Sequence, residues 1–598
     1  MARFLLILSL LFSSLHAQEE LVRQVYETKT NTWAQVTCLL GKLPAYGYAP
    51  VRVEMNNASK SDRTLTISFT STDNSYGGSM GGQSDSKMTS SFSFVCKKGS
   101  RETVDFLVPL VTIFQSGSYG SSSSLSMNLS VSGYPSTSGS MTTEVSESWP
   151  SAVMSNTLYV PNASTLNGHL LSSHSSASYS SGDLEFAGDF DPKAMPTDWR
   201  AYIGQDTIIM TSDDWGKLDP GARTAILEWN RFGGKIIIYT TNASDDLATL
   251  QIEPNMAGKK IAARSFGHVQ LVPLPSSNRL NAAATQRLVS HRGKSSYETP
   301  HASLLNDYAG SWPLHEKLAE KNFNSVFFIL ILLAFGVLVG PVNLFVFAKA
   351  GKRHKLFITT PIISLGCSAL LIVIIMFQDG FGGRGHRILL MEIQPEENKA
   401  YIFQEQAART GVLLGSSFET SEPTMITPVA LAPSRWSRVV TNGQSPSTYA
   451  AEHGSDGLSV SGDWFQSRSI HGHLLKTVRP TRGRIELSPK AGAPTLTSTF
   501  DFDLDTIFYH ASDGSWWMAD AIEKGNSVSL SPTSEMEFNA WLKRIENSLG
   551  RHNASHLIRI SKLPGRFFTT TEEATATETY GSIKWLSTTT IMTGPVIR

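Results

Sequence analysis

The stretch Thr207–Thr240, TIIMTSDDWGKLDPGARTAILEWNRFGGKIIIYT, decides how the middle of this chain folds. Thr207-Ile208-Ile209-Met210 opens it as a short apolar strand. Asp219-Pro220 has the chemistry of an N-cap followed by a first helical residue. Ala222, Ile226, Trp229 and Phe232 then share one helical face. Gly233-Gly234 stops the helix, and Ile236-Ile237-Ile238 is a second buried strand. Strand, helix, glycine pair and strand make a βαβ unit with a parallel sheet, and His268–Pro273 fits the same sheet. An α/β domain is expected over residues 150–275.

Toward the N-terminus the period changes to two. Val51, Val53 and Met55 alternate with Arg52 and Glu54, and Asn56-Asn57 turns the chain. Leu65, Ile67 and Phe69, then Val104, Phe106 and Val108, then Leu125, Met127, Leu129 and Val131 repeat the pattern. An antiparallel β-sandwich follows over residues 18–140, with Ser/Gly-rich hairpin loops at Tyr76–Ser90 and Gln115–Ser124. Before it, Arg3 precedes an apolar run from Phe4 to Leu15 and a small residue, Ala17. That is the layout of a secretory signal over residues 1–17, too short to span a bilayer comfortably. Cysteine usage agrees with export. The three cysteines are Cys38, Cys96 and Cys367, the last inside a hydrophobic segment. Cys38 and Cys96 read as a disulfide pair, worth roughly 4 kcal/mol on a chain-entropy argument, or else as two separate buried thiols.

Toward the C-terminus, a polar connection (276–323) leads to two hydrophobic segments. Val326–Ala348 is expected as a first spanning helix (324–348) and Phe357–Phe377 as a second. The loop between them, 349–356, carries Lys349, Lys352, Arg353, His354 and Lys355 and is expected in the cytoplasm, with both folded regions outside. In the first segment Gly340 and Pro341 loosen the helix. Asn343 is expected to hydrogen-bond the facing helix, near Gly366 or Ser364. Residues 387–598 read as a C-terminal β-rich domain. Phe500, Phe502 and Leu504 alternate with Asp501, Asp503 and Asp505, Asp513-Gly514 turns toward Trp516-Trp517-Met518, and Ser534 with Glu537 caps one apolar helix.

Gly340-Pro341-Val342-Asn343, the basic loop and Phe357-Ile358-Thr359-Thr360-Pro361 resemble a membrane signature in a group of uncharacterised bacterial two-span envelope proteins. Their layout is similar: signal peptide, β-sandwich, an α/β flavodoxin-like domain similar to class I glutamine amidotransferases, a two-helix transmembrane hairpin and a C-terminal β-domain. The resemblance implies a multidomain protein of the bacterial inner membrane, crossing it more than once, with large periplasmic domains. It implies no activity.

Chemistry is sparse. An amidotransferase needs a thiolate on a tight strand-to-helix turn, yet no cysteine lies between Cys96 and Cys367, and no Gly-x-Ser-x-Gly occurs from Trp149 to Pro273. Ser212, Asp213 and His268 are merely the polar residues nearest the strand ends, where a site would sit. His471-Gly472-His473 reads as a surface pair rather than a metal site, and the three aspartates as the solvated face of a half-buried strand. Acidic and basic residues balance at 51 each, so no global field points to nucleic acid. No catalytic residue, cofactor or metal ligand is expected. The partners are the lipid bilayer and envelope proteins, and the expected role is a non-catalytic binding or scaffolding component. An envelope hydrolase or transferase, or an accessory subunit of a transport complex, is the alternative.

Overall fold

The computed structural model describes residues 19–597 apart from 76–84, 114–123, 133–136, 145–148, 174–184, 291–307, 309–311, 320–324, 348–349, 430, 432–439, 442–446, 455–456 and 489–492. The expected signal peptide, residues 76–84 of the first Ser/Gly-rich loop and residues 115–123 of the second fall outside these residues. Within them the chain is mostly β-structure, arranged in five sheets.

Period-two alternation builds the N-terminal strands as read. In Tyr48–Asn57, Val51, Val53 and Met55 are buried while Arg52 and Glu54 turn outward, where Arg52 pairs with Asp105 at 2.8 Å. This strand lies in a four-stranded antiparallel sheet with Glu19–Glu27, Thr32–Cys38 and Ser100–Pro109. The facing sheet has seven strands, and only four of them are N-terminal. Lys87–Cys96 pairs in parallel with Thr448–Gly454, which brings Gly457–Gly462 and Phe418–Thr420 with it. The sandwich therefore closes only when residues more than three hundred positions apart meet (Thr448 lies opposite Lys87).

A ten-stranded sheet, centred on Gly383–Gln394, Lys399–Thr410, Ser469–Pro480 and Ile583–Pro595, divides the molecule. Strand alternation sends Ile388, Leu390, Tyr401 and Phe403 to one face, and Leu389, Met391, Ile393 and Ile402 to the other. The first face packs on the six-stranded sheet formed around Thr207–Thr211 and Lys235–Thr240. Phe232 meets Tyr401 and Phe403 at ring-centroid distances of 5.6 and 5.0 Å, and Phe266 meets Phe403 at 4.1 Å. Helices Glu535–Glu546 and Arg551–Ser561 complete this core, and Ser534 caps the first by accepting from the Glu537 amide.

These contacts correct the expected fold class. The residues 150–275 contain parallel strands, but they do not make a clear flavodoxin-like domain. The strand order is Gly188–Phe190, Ala152–Ser155, Thr207–Thr211, Lys235–Thr240, Gly267–Pro273, with Ile261–Arg264 antiparallel at the edge. Only two crossovers carry α-helices, Ala163–Ser173 in one and Ser212–Lys217 with Pro220–Arg231 in the other. The polar crossover after Thr240 holds turns and no helix, so one face is covered by the ten-stranded sheet instead.

The expected two-helix transmembrane hairpin is corrected as well. Among the described residues one helix, Arg353–Val373, is long and apolar enough to cross a membrane. Ahead of it lies a 13-residue α-helix, Ser325–Val337, that passes into a π-helix, Leu338–Phe347. Pro341 lacks an amide hydrogen and its ring crowds the preceding turn, which explains why the α-helical ladder ends there. Gly340, Pro341 and Asn343 all lie in the π-helical part, and the buried Asn343 donates to Thr360 Oγ1 at 2.9 Å. Lys349 lies outside the described residues.

Cys38 and Cys96 are both buried and not bonded to each other. Cys38 lies opposite Val51, whereas Cys96 Sγ sits 3.6 Å from the Met55 carbonyl. Four residues of extended strand separate those two positions, roughly 13 Å, beyond the reach of a disulfide. The expected bridge gives way to two separate thiols.

Candidate functional site

Parallel sheets present loops at the carboxyl ends of their strands, and ligands bind where neighbouring crossovers leave in opposite directions. Here that point lies between Ala152–Ser155 and Thr207–Thr211, because the chain passes from the first strand to Gly188–Phe190 on one side and then back across to Thr207–Thr211 on the other. A carboxylate fills it. Asp214, buried in helix Ser212–Lys217, accepts from Ser155 Oγ at 2.8 Å, from Thr157 Oγ1, and from Lys217 Nζ at 2.9 Å. Burial alone would raise its pKa, but these hydrogen bonds outweigh that and hold it below the usual carboxylate range. Its acceptors are engaged in joining strand ends to the helix.

Of the polar residues singled out in the sequence, Ser212 and Asp213 meet through Thr241, but His268 does not join them. Ser212 Oγ and Thr241 Oγ1 share a hydrogen bond of 2.9 Å, and Thr241 Oγ1 donates to Asp213 at 2.8 Å, both at the carboxyl edge. His268 lies opposite Lys235 at the amino edge, four strand positions before Val272, which aligns with Tyr239. That is roughly 13 Å of strand, too far for a shared proton.

A second cluster was not legible in the sequence. Ser265, in a left-handed conformation (φ 56°), donates through Oγ to Glu392. Arg566 donates to the same carboxylate at 2.9 Å, and His556 Nε2 lies 3.4 Å from it. Arg559 reaches His556 Nδ1 at 2.8 Å. Since a guanidinium only donates, Nδ1 accepts and Nε2 carries the proton toward Glu392. Phe266 stacks on the imidazole at 3.4 Å. Burial pushes Glu392 up, but Arg566 and His556 prevail and its pKa falls well below the ordinary value; burial takes His556 down to about 4. A Ser, a His and a carboxylate are present, but the carboxylate stands between the other two. The imidazole faces the carboxylate and not the hydroxyl, so it cannot take the serine proton as a Ser-His-acid triad requires. The cluster instead locks the turn before Gly267–Pro273 to the ten-stranded sheet. Arg231 and Arg264, both buried, reinforce that junction through Glu397 at 2.5 and 3.0 Å.

A third buried carboxylate, Glu405, holds the segment that leads into the apolar helices. It accepts from Trp312 Nε1 at 2.9 Å, the Gly550 amide at 2.8 Å and Asn553 Nδ2 at 2.6 Å. Leu314 and Leu318, on helix Pro313–Ala319, are buried in the same core. After helix Leu356–Asp379 the chain re-enters the ten-stranded sheet at Gly383. Both ends of the apolar excursion are thus pinned to one body.

The remaining sequence candidates also find structural places. His471 and His473 are buried, not a surface pair, since both faces of their strand are covered. His471 bonds Ser469 and the Gln466 amide, and His473 bonds the Trp464 carbonyl at 3.0 Å. Asp501, Asp503 and Asp505 face solvent as expected, but on an irregular segment; the hairpin strands are Ile507–His510 and Trp516–Ala519.

No family model matches this chain, and no curated protein matches it. Among solved structures, the Bacillus subtilis sporulation control protein Spo0M aligns over 19% of this chain and 47% of its own, at 14% identity and a TM-score of 0.12. The yeast delta-COP-I mu-homology domain, complexed with a Dsl1 WxWxV peptide, aligns over 36% and 96%, at 9% identity and 0.17. Kluyveromyces marxianus β-glucosidase in complex with glucose aligns over 82% and 46%, at 8% identity and 0.10. This chain thus spans about half the length of Spo0M and of the glucosidase. Scores this low carry no shared fold and no function to this protein.

Proposed function

We propose that this protein is a bacterial envelope component, held at the membrane by its apolar excursion, whose folded body lies outside the cytoplasm and binds or scaffolds other envelope proteins without catalysing a reaction. The observation that carries this reading is the contrast between the excursion and its ends. Phe345, Phe357 and Leu365 are 72%, 86% and 73% exposed, while Trp312 and Leu390 on either side are buried in the body. Apolar surface on that scale is costly in water and favourable in lipid. The signal-like segment from Arg3 to Ala17 and the resemblance of residues 340–343 and 357–361 to envelope proteins support the location.

The non-catalytic part of the reading rests on geometry. Asp214, Glu392 and Glu405 each join elements of the body, and Ser212, Asp213 and His268 lie at opposite sheet edges. Replacing residues 325–379 by a short polar linker is expected to release a folded, soluble body that still captures envelope partners from detergent extracts. Ser212→Ala, Asp213→Asn and His268→Gln, made singly, are expected to leave the phenotype of the intact chain unchanged. A hundredfold loss in one of them, at normal levels of folded protein, would overturn the non-catalytic reading. A body that stayed with the membrane after the deletion would overturn the anchoring.

A further inference from the structure

The packing of helix Arg551–Ser561 on the ten-stranded sheet is not completely filled. A cavity of about 40 Å³ remains there, walled by Phe403, Met425 and Leu474, with Lys476, His552 and Asn553 on its rim. Roughly 10–15 Å³ suffices for one water, so the space takes about three waters or one organic molecule of about four heavy atoms.

Lys476 enters this space between two apolar neighbours, because Phe403 and Met425 lie opposite it on the flanking strands. Its ammonium meets the carboxyl end of helix Pro220–Arg231. There it donates to the Phe232 carbonyl at a long 3.5 Å and lies 5.9 Å from that ring. The helix dipole favours a cation at this end, which accounts for a lysine in an apolar interface. Yet an ammonium has three donors, and among the described residues that carbonyl is its one hydrogen-bond partner. Asp206 acts on it electrostatically without an ion pair, and one of the Asp206 carboxylate oxygens is buried without a hydrogen bond. His552 is held neutral, its pKa lowered to about 3 by burial first and then by Lys476.

We propose that this cavity binds a small organic carboxylate, about the size of acetate, with its oxygens on the Lys476 ammonium and its carbon end against Phe403, Met425 and Leu474. The donor set decides the class. A metal ion would meet an ammonium, and a purely apolar guest would leave the ammonium donors unfilled. A phosphate carries more charge than the one cation here can meet, and has no apolar end for the walls. A carboxylate with one or two further carbons matches the volume, the charge and the walls. The site goes beyond the scaffolding role. Its walls come from the ten-stranded sheet and from helix Arg551–Ser561, so an occupant would brace those two against one another.

Lys476 also sets the competing chemistry. Burial lowers its pKa to about 8, so an appreciable fraction of the amine is unprotonated at neutral pH and could condense with an aldehyde, releasing water to leave an imine. The full chain in detergent, titrated with 13C-labelled acetate against matched sodium chloride, separates these possibilities. Saturable binding is expected, with propionate competing. Lys476→Gln should weaken it at least tenfold, and Met425→Phe, which fills the cavity and keeps the charge, should do the same. The thermal midpoint of each variant reports whether it is folded, and the second variant decides if the first is not. Absence of saturable binding in the wild type, meaning that water alone fills the cavity, would overturn the proposal. So would binding that survives both substitutions. Borohydride trapping of acetaldehyde on Lys476 that acetate fails to block would likewise overturn it, in favour of a reactive amine.

Discussion

Four histidines, His471, His473, His552 and His556, have their pKa values lowered to between about 3 and 4, in each case chiefly by burial. The unfolded chain would protonate them near the ordinary 6.5. Between that value and the folded ones, the unfolded state binds more protons, so stability is complete above pH 6.5 and falls as pH drops through this window. The thermal midpoint is expected to be level above pH 7 and to decline steadily from pH 6.5 to 4, with a shallower decline in His473→Gln. A midpoint unchanged down to pH 4.5 would contradict the burial of these rings. Glu392 adds a second acid-sensitive step. Its folded pKa is depressed, so its contribution is present above about 4.5 and is lost below it. Glu392→Gln leaves Arg566 without its carboxylate, and breaking such a buried pair costs about 3–5 kcal/mol, readable as a shift in the denaturation midpoint. None of these roles was legible from the residues alone. His471-Gly472-His473 looks like a solvated pair because alternation describes one strand, and only tertiary contact covers its second face. Glu392 and Glu405 look like charges interrupting apolar strands, and their donors lie far away in sequence.

Elements were read more securely than residues, because their signals are local. The caps at Asp219 and Ser534 both accept from amides two or three residues on, as those spacings predict. Helix Pro220–Arg231 turns Trp229 and Phe232 inward, and Trp199 and Phe232 meet at 4.6 Å. Gly234 must be glycine, since a Cβ there would run into the Trp229 ring. Trp229→Ala is expected to destabilise the protein by about 3–5 kcal/mol and to lower the amount of folded chain in the membrane. Normal folded levels, measured by protease resistance, would contradict this packing. The failures at this scale have physical causes too. Apolar length alone read the segment around Pro341 as a single spanning helix, whereas the α-helical ladder gives way to a π-helix just before that proline, which lacks the amide hydrogen the ladder needs. Export and cysteine count predicted a disulfide, but pairing register, which composition does not carry, sets the two thiols apart.

For the molecule as a whole, the pairing of Lys87–Cys96 with Thr448–Gly454 is the contact with the largest consequence. Strands before and after the apolar excursion share one sheet, and the ten-stranded sheet receives the chain on both sides of it. The sequence presents these regions as successive domains, because local patterns reveal strands but not their partners across hundreds of residues. Once the two regions form one body, they must lie on the same side of any membrane. The envelope reading further requires that side to be the outer one. Lys60 and Met536 are both exposed, in the N-terminal and C-terminal regions respectively. Lys60→Cys and Met536→Cys, introduced separately into a chain with its three native cysteines replaced by serine or alanine, can be tested in cells with a permeabilised outer envelope and an intact inner membrane. A membrane-impermeant maleimide is expected to label both positions to the same extent as after full lysis. Labelling of one position alone would contradict the shared body, and labelling of both only after lysis would place that body in the cytoplasm.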